Sequence, residues 1–356
     1  MNVRITNQTS PYIRKDTSTK RMMVDVLIAL VPVVVFAIYK SGMSALTRLI
    51  VSVLLSVLFE ATYILLFKRV EGKSFLDKVK KRWETYTINN ITAPAVTGLI
   101  LGLLLPDKIS FYVIVIASFF AIFVAKMFFG GLGNNLLNPA AFGRLFAGFA
   151  LTALFATSAY SAIDAVSGAT ALSLEFPKVL ETYSLLDMII GNIPGAMGEI
   201  NSIAILIGGV YLLIRRSADY RPILSATLAF LALLIPAAFI IQENYWLEFI
   251  VYHIFSGGLL FGLFFMVTDP VTSPITRPGR WIYGMIIGVL VFLIRVFGAY
   301  PEGVAIALLI GNILVPLIDY PKWATNKYTK KFYIGYGVSL AVVVISTILV
   351  LGGWVI

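Results

Sequence analysis

The strongest constraint on this chain is the recurrence of apolar runs of about the 20 residues that a helix needs to cross a lipid hydrocarbon core. They fall at about 22–39, 46–67, 91–105, 110–129, 140–157, 200–214, 222–241, 249–267, 281–298, 302–318 and 333–354. A backbone inside lipid must satisfy its own N–H and C=O groups, and a helix does so within one segment. The spacing therefore predicts an all-α polytopic membrane protein of eleven spans. Composition agrees: 59% of the 356 residues are hydrophobic, only 13% are charged, and the mean hydropathy is +0.91. The chain has no cysteine, which excludes thiolate-held iron–sulfur clusters, disulfides and thiol redox pairs in it. Its first 21 residues are polar and lack the apolar core of a signal peptide, so the first span is expected to be retained.

The net charge of +10 sits in short loops between apolar runs, where it reads as a topology signal and argues against a nucleic-acid partner. Lys68, Arg69, Lys73, Lys78, Lys80, Lys81 and Arg82 face only Glu71 and Asp77 in the loop 68–82. Arg215, Arg216 and Arg221, then Arg277 with Arg280, then Lys322, Lys327, Lys330 and Lys331 mark further basic loops. Eleven spans with the N-terminus inside are expected to put all of these on the cytoplasmic side. The same count puts segment 158–199 outside, where Asp164, Glu175, Glu181, Asp187 and Glu199 face one Lys178.

Two patterns recur five spans apart. Gly98-Leu99-Ile100-Leu101-Gly102-Leu103 returns as Gly258-Leu259-Leu260-Phe261-Gly262-Leu263, and Phe123-Val124-Ala125-Lys126-Met127-Phe128 returns as Phe292-Leu293-Ile294-Arg295-Val296-Phe297. An odd offset reverses direction in the membrane, so two inverted five-helix repeats are predicted, followed by an eleventh, C-terminal helix. The expected divisions are an N-terminal segment 1–21, a first repeat 22–157, an outer loop 158–199, a second repeat 200–318, and a basic loop with the extra helix at 319–356. Inverted-repeat folds place their sites where the repeats meet, often on broken helices.

Two polar breaks invite attention: Gly130-Gly131-Leu132-Gly133-Asn134-Asn135-Leu136-Leu137-Asn138-Pro139 and Thr268-Asp269-Pro270-Val271-Thr272-Ser273-Pro274. Non-helical backbone at membrane depth survives only against protein or a wet cavity. The breaks are therefore either a cofactor or ion path, or ordinary turns on the inner side. Asp25, Glu60, Lys126, Arg144, His253 and Arg295 lie in or near spans, where a charge costs at least about 2.5 kcal/mol at the bilayer centre. Each is expected to face a partner, water or a ligand, with snorkelling to the interface open to Lys126, Arg144 and Arg295. No grouping of His, Asp and Glu has the spacing of a metal site.

In the outer segment, Asp164-Ala165-Val166-Ser167-Gly168-Ala169-Thr170 sets a threonine hydroxyl behind small residues, open to a bulky group. By spacing alone this is also what a loose loop looks like. In a polytopic chain, however, Asp-x-x-Ser-Gly-Ala-Thr resembles the motif at which a flavin transferase esterifies the phosphate of FMN to threonine. The chain resembles the D subunit of the Rnf complex and the related B subunit of the sodium-pumping NADH:quinone oxidoreductase. The likeness extends to Ser10-Pro11-Tyr12-Ile13-Arg14, to Asn138-Pro139-Ala140-Ala141-Phe142-Gly143-Arg144, to Gly191-Asn192-Ile193-Pro194-Gly195-Ala196-Met197-Gly198-Glu199, and to Thr268-Asp269-Pro270. The eleventh span departs from the ten-helix plan expected of that family.

The resemblance implies a membrane flavoprotein subunit of an ion-translocating ferredoxin:NAD oxidoreductase, an electron-transfer subunit coupled to sodium ion or proton transport. It implies covalent FMN on Thr170, with Ser167, Gly168 and Ala169 shaping the attachment and Asp164 read by the transferase. Asn135, Asn138 and Arg144 are expected to line the membrane part of the site; the related quinone reductase subunit also holds a noncovalent riboflavin, which the sequence leaves open for this chain. The implied partners are a second covalent flavin subunit, iron–sulfur subunits, the flavin transferase and membrane lipid. The competing reading is a stand-alone channel or secondary transporter of inverted-repeat fold with no cofactor.

Overall fold

The computed structural model describes residues 18–72, 74–156, 176–298 and 303–353. The described elements are helices, and no strand occurs among the described residues. Helix α1 (Thr19–Phe67) is 49 residues long but is broken at Gly42, whose φ of 59° and ψ of −140° suit glycine alone. Its two arms make contacts that differ along the chain. Asp25 in the first arm meets Arg215 and Ser217, and Lys40 donates to the carbonyls of Gly191 (2.8 Å) and Ile193 (2.5 Å). In the second arm Ser44 donates to the carbonyl of Asp107, Ser52 to that of Gly98, and Glu60 meets Lys126. Gly42 thus turns one helix into the two spans expected at 22–39 and 46–67.

The chain continues through α2 (Phe75–Glu84) and α3 (Asn89–Leu104), then α4 (Phe111–Phe119), which runs on as a π-helix over Phe120–Met127. Next come α5 (Pro139–Ala150), α6 (Thr152–Ala156), and the short helices α7 (Val179–Thr182) and α8 (Leu185–Ile190). The second half holds α9 (Ser202–Arg215), α10 (Tyr220–Ile241), α11 (Trp246–Phe255), α12 (Leu259–Phe265), α13 (Arg277–Val296), α14 (Val304–Ile318) and α15 (Lys330–Leu351). Among the described residues, and with α1 counted once, four helices are by themselves long and apolar enough to span a membrane. The number is six when the bent pairs α2 with α3 (79°) and α11 with α12 (43°) each count once. The molecule is an all-α, multi-pass membrane protein.

Small residues let the helices approach, as in membrane bundles generally. Gly98 of α3 lies against Ser52 and Ser56 of α1, and Gly208 of α9 against the carbonyl of Ala29. A Cβ at either glycine would overlap its neighbour. One end of the bundle gathers the basic loops: Asp219 pairs with Arg221 (2.7 Å) and Arg280, and Asp319 accepts from Thr276 at the start of α13. The opposite end carries Asp107 and the folded segment 176–200. Val179, Tyr183, Met188, Ile193 and Ile200 form an apolar cluster there with Tyr252 of α11.

Three local features differ from the sequence reading. The span expected at 249–267 is split, because Gly257 (φ 71°) and Gly258 (φ 74°) adopt left-handed backbone between α11 and α12. The basic loop at 68–82 contains helix α2. The described part of the outer segment holds α7 and α8, the latter closed by a Ser184–Asp187 capping box and stopped by left-handed Gly191. Short helices with few apolar residues lie below the length at which periodicity distinguishes them from loops.

A polar cavity between the two helix breaks

The two breaks come together. After the π-helix, Gly130, Gly131 and Gly133 take positive φ, and the chain re-enters a helix at Asn138, whose Oδ1 accepts from Ala141 N (3.1 Å) ahead of Pro139. That is an ordinary N-cap followed by proline in the first turn. In the other break Asp269 folds back on its own loop, accepting from Thr272 Oγ1 (3.0 Å) and Val271 N (3.2 Å). Between them stands Asn312 of α14, fully buried. It accepts from Asn138 N at 3.0 Å and donates to Thr272 O at 3.1 Å and to Tyr283 Oη at 2.8 Å.

The breaks line one cavity of about 80 Å³. Its polar wall is Lys126, Asn135, Asn138, Thr268 and Asp269, and its apolar wall includes Val96, Ile100, Leu212, Phe264 and Phe265. Met22, Met23 and Ser217 place its mouth near the basic end of the bundle. Asn135 donates one bond, to Leu137 O (3.3 Å), and Asn138 uses its oxygen as a helix cap. Among the described residues no hydrogen bond engages the Asn135 carboxamide oxygen or the Asn138 side-chain amide group.

The intramembrane cations are held inside the protein and do not snorkel. Lys126, aimed by the π-helix, forms a 2.6 Å ion pair with Glu60 of α1, both side chains almost fully buried. A π-turn shifts the register of side chains that follow it, and such turns concentrate at functional sites. Arg144 donates to Leu104 O at 2.8 Å, at the end of α3, and lies over the Phe155 ring at 4.5 Å. Arg295 donates to His253 O and Gly257 O, both at 2.6 Å, satisfying carbonyls at the end of α11. His253 is packed against Phe249 and Tyr252.

The sequence-predicted residues therefore separate into three places. Asn135 and Asn138 line the cavity, whereas Arg144 lies further along α5 at the end of α3. Asp164, Ser167, Gly168, Ala169 and Thr170 lie outside the described residues. The segment that follows them is anchored through backbone: Gly198 N donates to Leu103 O (2.7 Å) and Met197 N to Leu105 O (3.3 Å), and the Glu199 carboxylate lies against Gly258 at the start of α12. Asn312 and Tyr283 escaped a reading that surveyed ionisable groups. The sequence signal for them was a carboxamide inside the apolar run Val304–Ile318, where a polar side chain needs a partner.

Known proteins resemble this chain over most of its length. The D subunit of the Na(+)-translocating ferredoxin:NAD(+) oxidoreductase complex of Acetobacterium woodii is 35% identical over 323 residues, covering 88% of this chain and 92% of that one. The D subunit of the proton-translocating ferredoxin:NAD(+) oxidoreductase complex of Clostridium ljungdahlii is 34% identical over 329 residues, covering 88% and 93%. The B subunit of the Na(+)-translocating NADH-quinone reductase of Ectopseudomonas mendocina is 38% identical over 240 residues, 63% of this chain, and the match spans only 58% of that protein. The family model described as NQR2, RnfD, RnfE matches residues 6–327, ending just before α15, and on these residues the chain belongs to the NQR2, RnfD, RnfE family.

Proposed function

We propose that this chain is the membrane flavoprotein subunit of a redox-driven ion translocase of the ferredoxin:NAD oxidoreductase type. The observation that carries the reading is the near full-length match to two D subunits whose complexes are named for that reaction. One of them is named for sodium ions and the other for protons, so the likeness leaves the ion open. In this reading the basic end of the bundle is cytoplasmic, the membrane is the bacterial inner membrane, and Thr170 stands on the outer side. FMN is esterified there through its phosphate, with Ser167, Gly168 and Ala169 giving access and Asp164 recognised by a flavin transferase. A phosphoester keeps an electron carrier from dissociating at a water-exposed rim, and the bound flavin supplies one-electron chemistry. Other flavin and iron–sulfur subunits are its electron partners.

A second, noncovalent flavin such as riboflavin belongs to the same proposal; what supports it is the lining of the cavity, which at about 80 Å³ would have to open to admit an isoalloxazine ring. Asn135 and Asn138 offer the amide edge, and Phe264, Phe265 and Val96 offer apolar faces. The inverted repeat belongs to the same proposal. It is supported by Lys126 and Arg295, the two cations in matching positions, which are buried toward opposite ends of the bundle.

The test is in-gel flavin fluorescence of the denatured, purified chain, co-expressed with a flavin transferase and run beside Thr170→Val. Fluorescence that survives denaturation and vanishes in the variant is expected. A dark band in both would remove the covalent flavin and put the stand-alone channel or transporter ahead, with ion flux in liposomes as the next measurement.

A further inference from the structure

Helix α2 is not needed for the cavity or for the attachment loop, yet its side chains are ordered in a specific way. At 3.6 residues per turn, Phe75, Leu76, Val79 and Trp83 share one arc of about 100°, and charged residues occupy the rest. Leu76 is 77% exposed, Phe75 62% and Trp83 60%. The helix is fixed in place nonetheless: Arg82 donates to Lys68 O (2.7 Å) and Leu65 O (2.9 Å), sealing the end of α1. It is bent 79° from α3, the span that follows, so it lies across the direction of the spans.

Continuity and charge both point to the occupant of this arc. Leu66 and Phe67 at the end of α1, and Ile88 and Ile91 at the start of α3, are also exposed apolar side chains, so the arc extends the lipid-facing surface of its two flanking spans. Trp83 stacks on Tyr86 at 5.6 Å, and Trp and Tyr are the side chains enriched at the membrane–water boundary. Lys68, Arg69, Lys80 and Lys81 are exposed beside the arc, with Lys78 half-exposed. An amphipathic helix with a cationic polar face beside an apolar one is the pattern of an in-plane membrane anchor.

We propose that α2 is an interfacial lipid-binding element: its apolar arc seats among the acyl chains of the leaflet on the basic side, and its lysines hold the phosphates of anionic phospholipids. The proposal is independent of any flavin. The chain has no cysteine, so single cysteines at Leu76→Cys and, on the polar face, Glu84→Cys can carry an environment-sensitive fluorophore in the full chain. In phosphatidylglycerol-containing liposomes, nitroxide on lipid acyl chains is expected to quench position 76 several-fold more than position 84, and aqueous iodide the reverse. In phosphatidylcholine alone, or with Lys78→Gln and Lys80→Gln, seating should weaken by about fivefold for each charge interaction lost. Equal iodide quenching at the two positions would overturn the proposal. So would a label at 76 shielded from both quenchers in the assembled complex, since another protein would then cover the arc.

Discussion

The backbone N–H of Asn138 donates to Oδ1 of Asn312 at 3.0 Å, across 174 residues of sequence. This bond, with the two that Asn312 gives to Thr272 O and Tyr283 Oη, ties the break after the π-helix to the break after α12. The cavity is the gap these ties hold open.

Asn312→Leu removes all three bonds and leaves Asn138 N–H and Thr272 C=O buried without this partner. Each orphaned group costs about 1–3 kcal/mol. The expected result is a lower midpoint of thermal unfolding for the purified chain in detergent, together with loss of any noncovalent flavin. An unchanged midpoint would show that the two breaks are held by other contacts.

The Glu60–Lys126 pair should behave as a coupled unit. Removing one partner strands a buried charge, which costs about 3–5 kcal/mol, whereas replacing both with apolar residues of similar volume is often neutral. Glu60→Leu and Lys126→Met are each expected to reduce yield and thermal stability sharply, and the double variant to recover most of the loss. Stability would then separate from ion transport: a stable double variant that no longer transports would assign the pair a role beyond packing. Additive losses would show that the two side chains do not act on one another.

The α8 capping box carries a pH dependence with a definite sign. The Asp187 carboxyl accepts from Ser184 and Asn192, and these bonds hold its pKa below the ordinary 3.8. A carboxyl with a lowered folded pKa contributes its stability above the unfolded value and loses it as pH falls through the folded one. Amide exchange in Leu185–Ile190 is therefore expected to be steady above pH 3.8 and to accelerate below it, after correction for intrinsic rates. Asp187→Asn should flatten that acceleration. An acid response that persists unchanged in the variant would assign it to another group.

Close packing of α1 on α9 predicts opposite outcomes for two glycines. Gly208 faces the carbonyl of Ala29 and the Phe265 ring, while Gly335 on α15 has nothing within 4 Å of where a Cβ would stand. Gly208→Val is expected to abolish detergent-stable protein, because overpacking typically costs about 1–3 kcal/mol or more, and Gly335→Val to leave yield and thermal midpoint unchanged. Size-exclusion profiles after solubilisation distinguish them. Comparable profiles would mean the α1–α9 contact yields to a larger side chain.

Much of the architecture was readable because lipid leaves the backbone few options. The apolar runs marked the helical segments, the basic loops around Arg221, Arg280 and Asn326 met at one end of the bundle, and the stretch Gly130 to Pro139 stood out as one that breaks a helix. The break within α11–α12 was harder to see: Ser256, Gly257 and Gly258 sit in an otherwise unbroken apolar run, and glycine in a membrane helix is common enough to pass without notice. Helix α2 was hidden by its charge, since a window tuned to long apolar spans reads a ten-residue amphipathic helix as a loop.

The sequence by itself determined the class of molecule and its family, because hydropathy, loop charge and motif order are local properties of the chain. Tertiary structure decided which of those residues meet. Asn135 and Asn138 share a cavity with Asp269, more than a hundred residues on, while Arg144, six residues beyond Asn138, belongs to another site. Lys126 does not snorkel because the π-helix and the second arm of α1 bring Glu60 within 2.6 Å of it. The physical reason is that a buried polar group is specified by the partner that satisfies it, and in a bundle of antiparallel helices that partner is set by packing across the membrane.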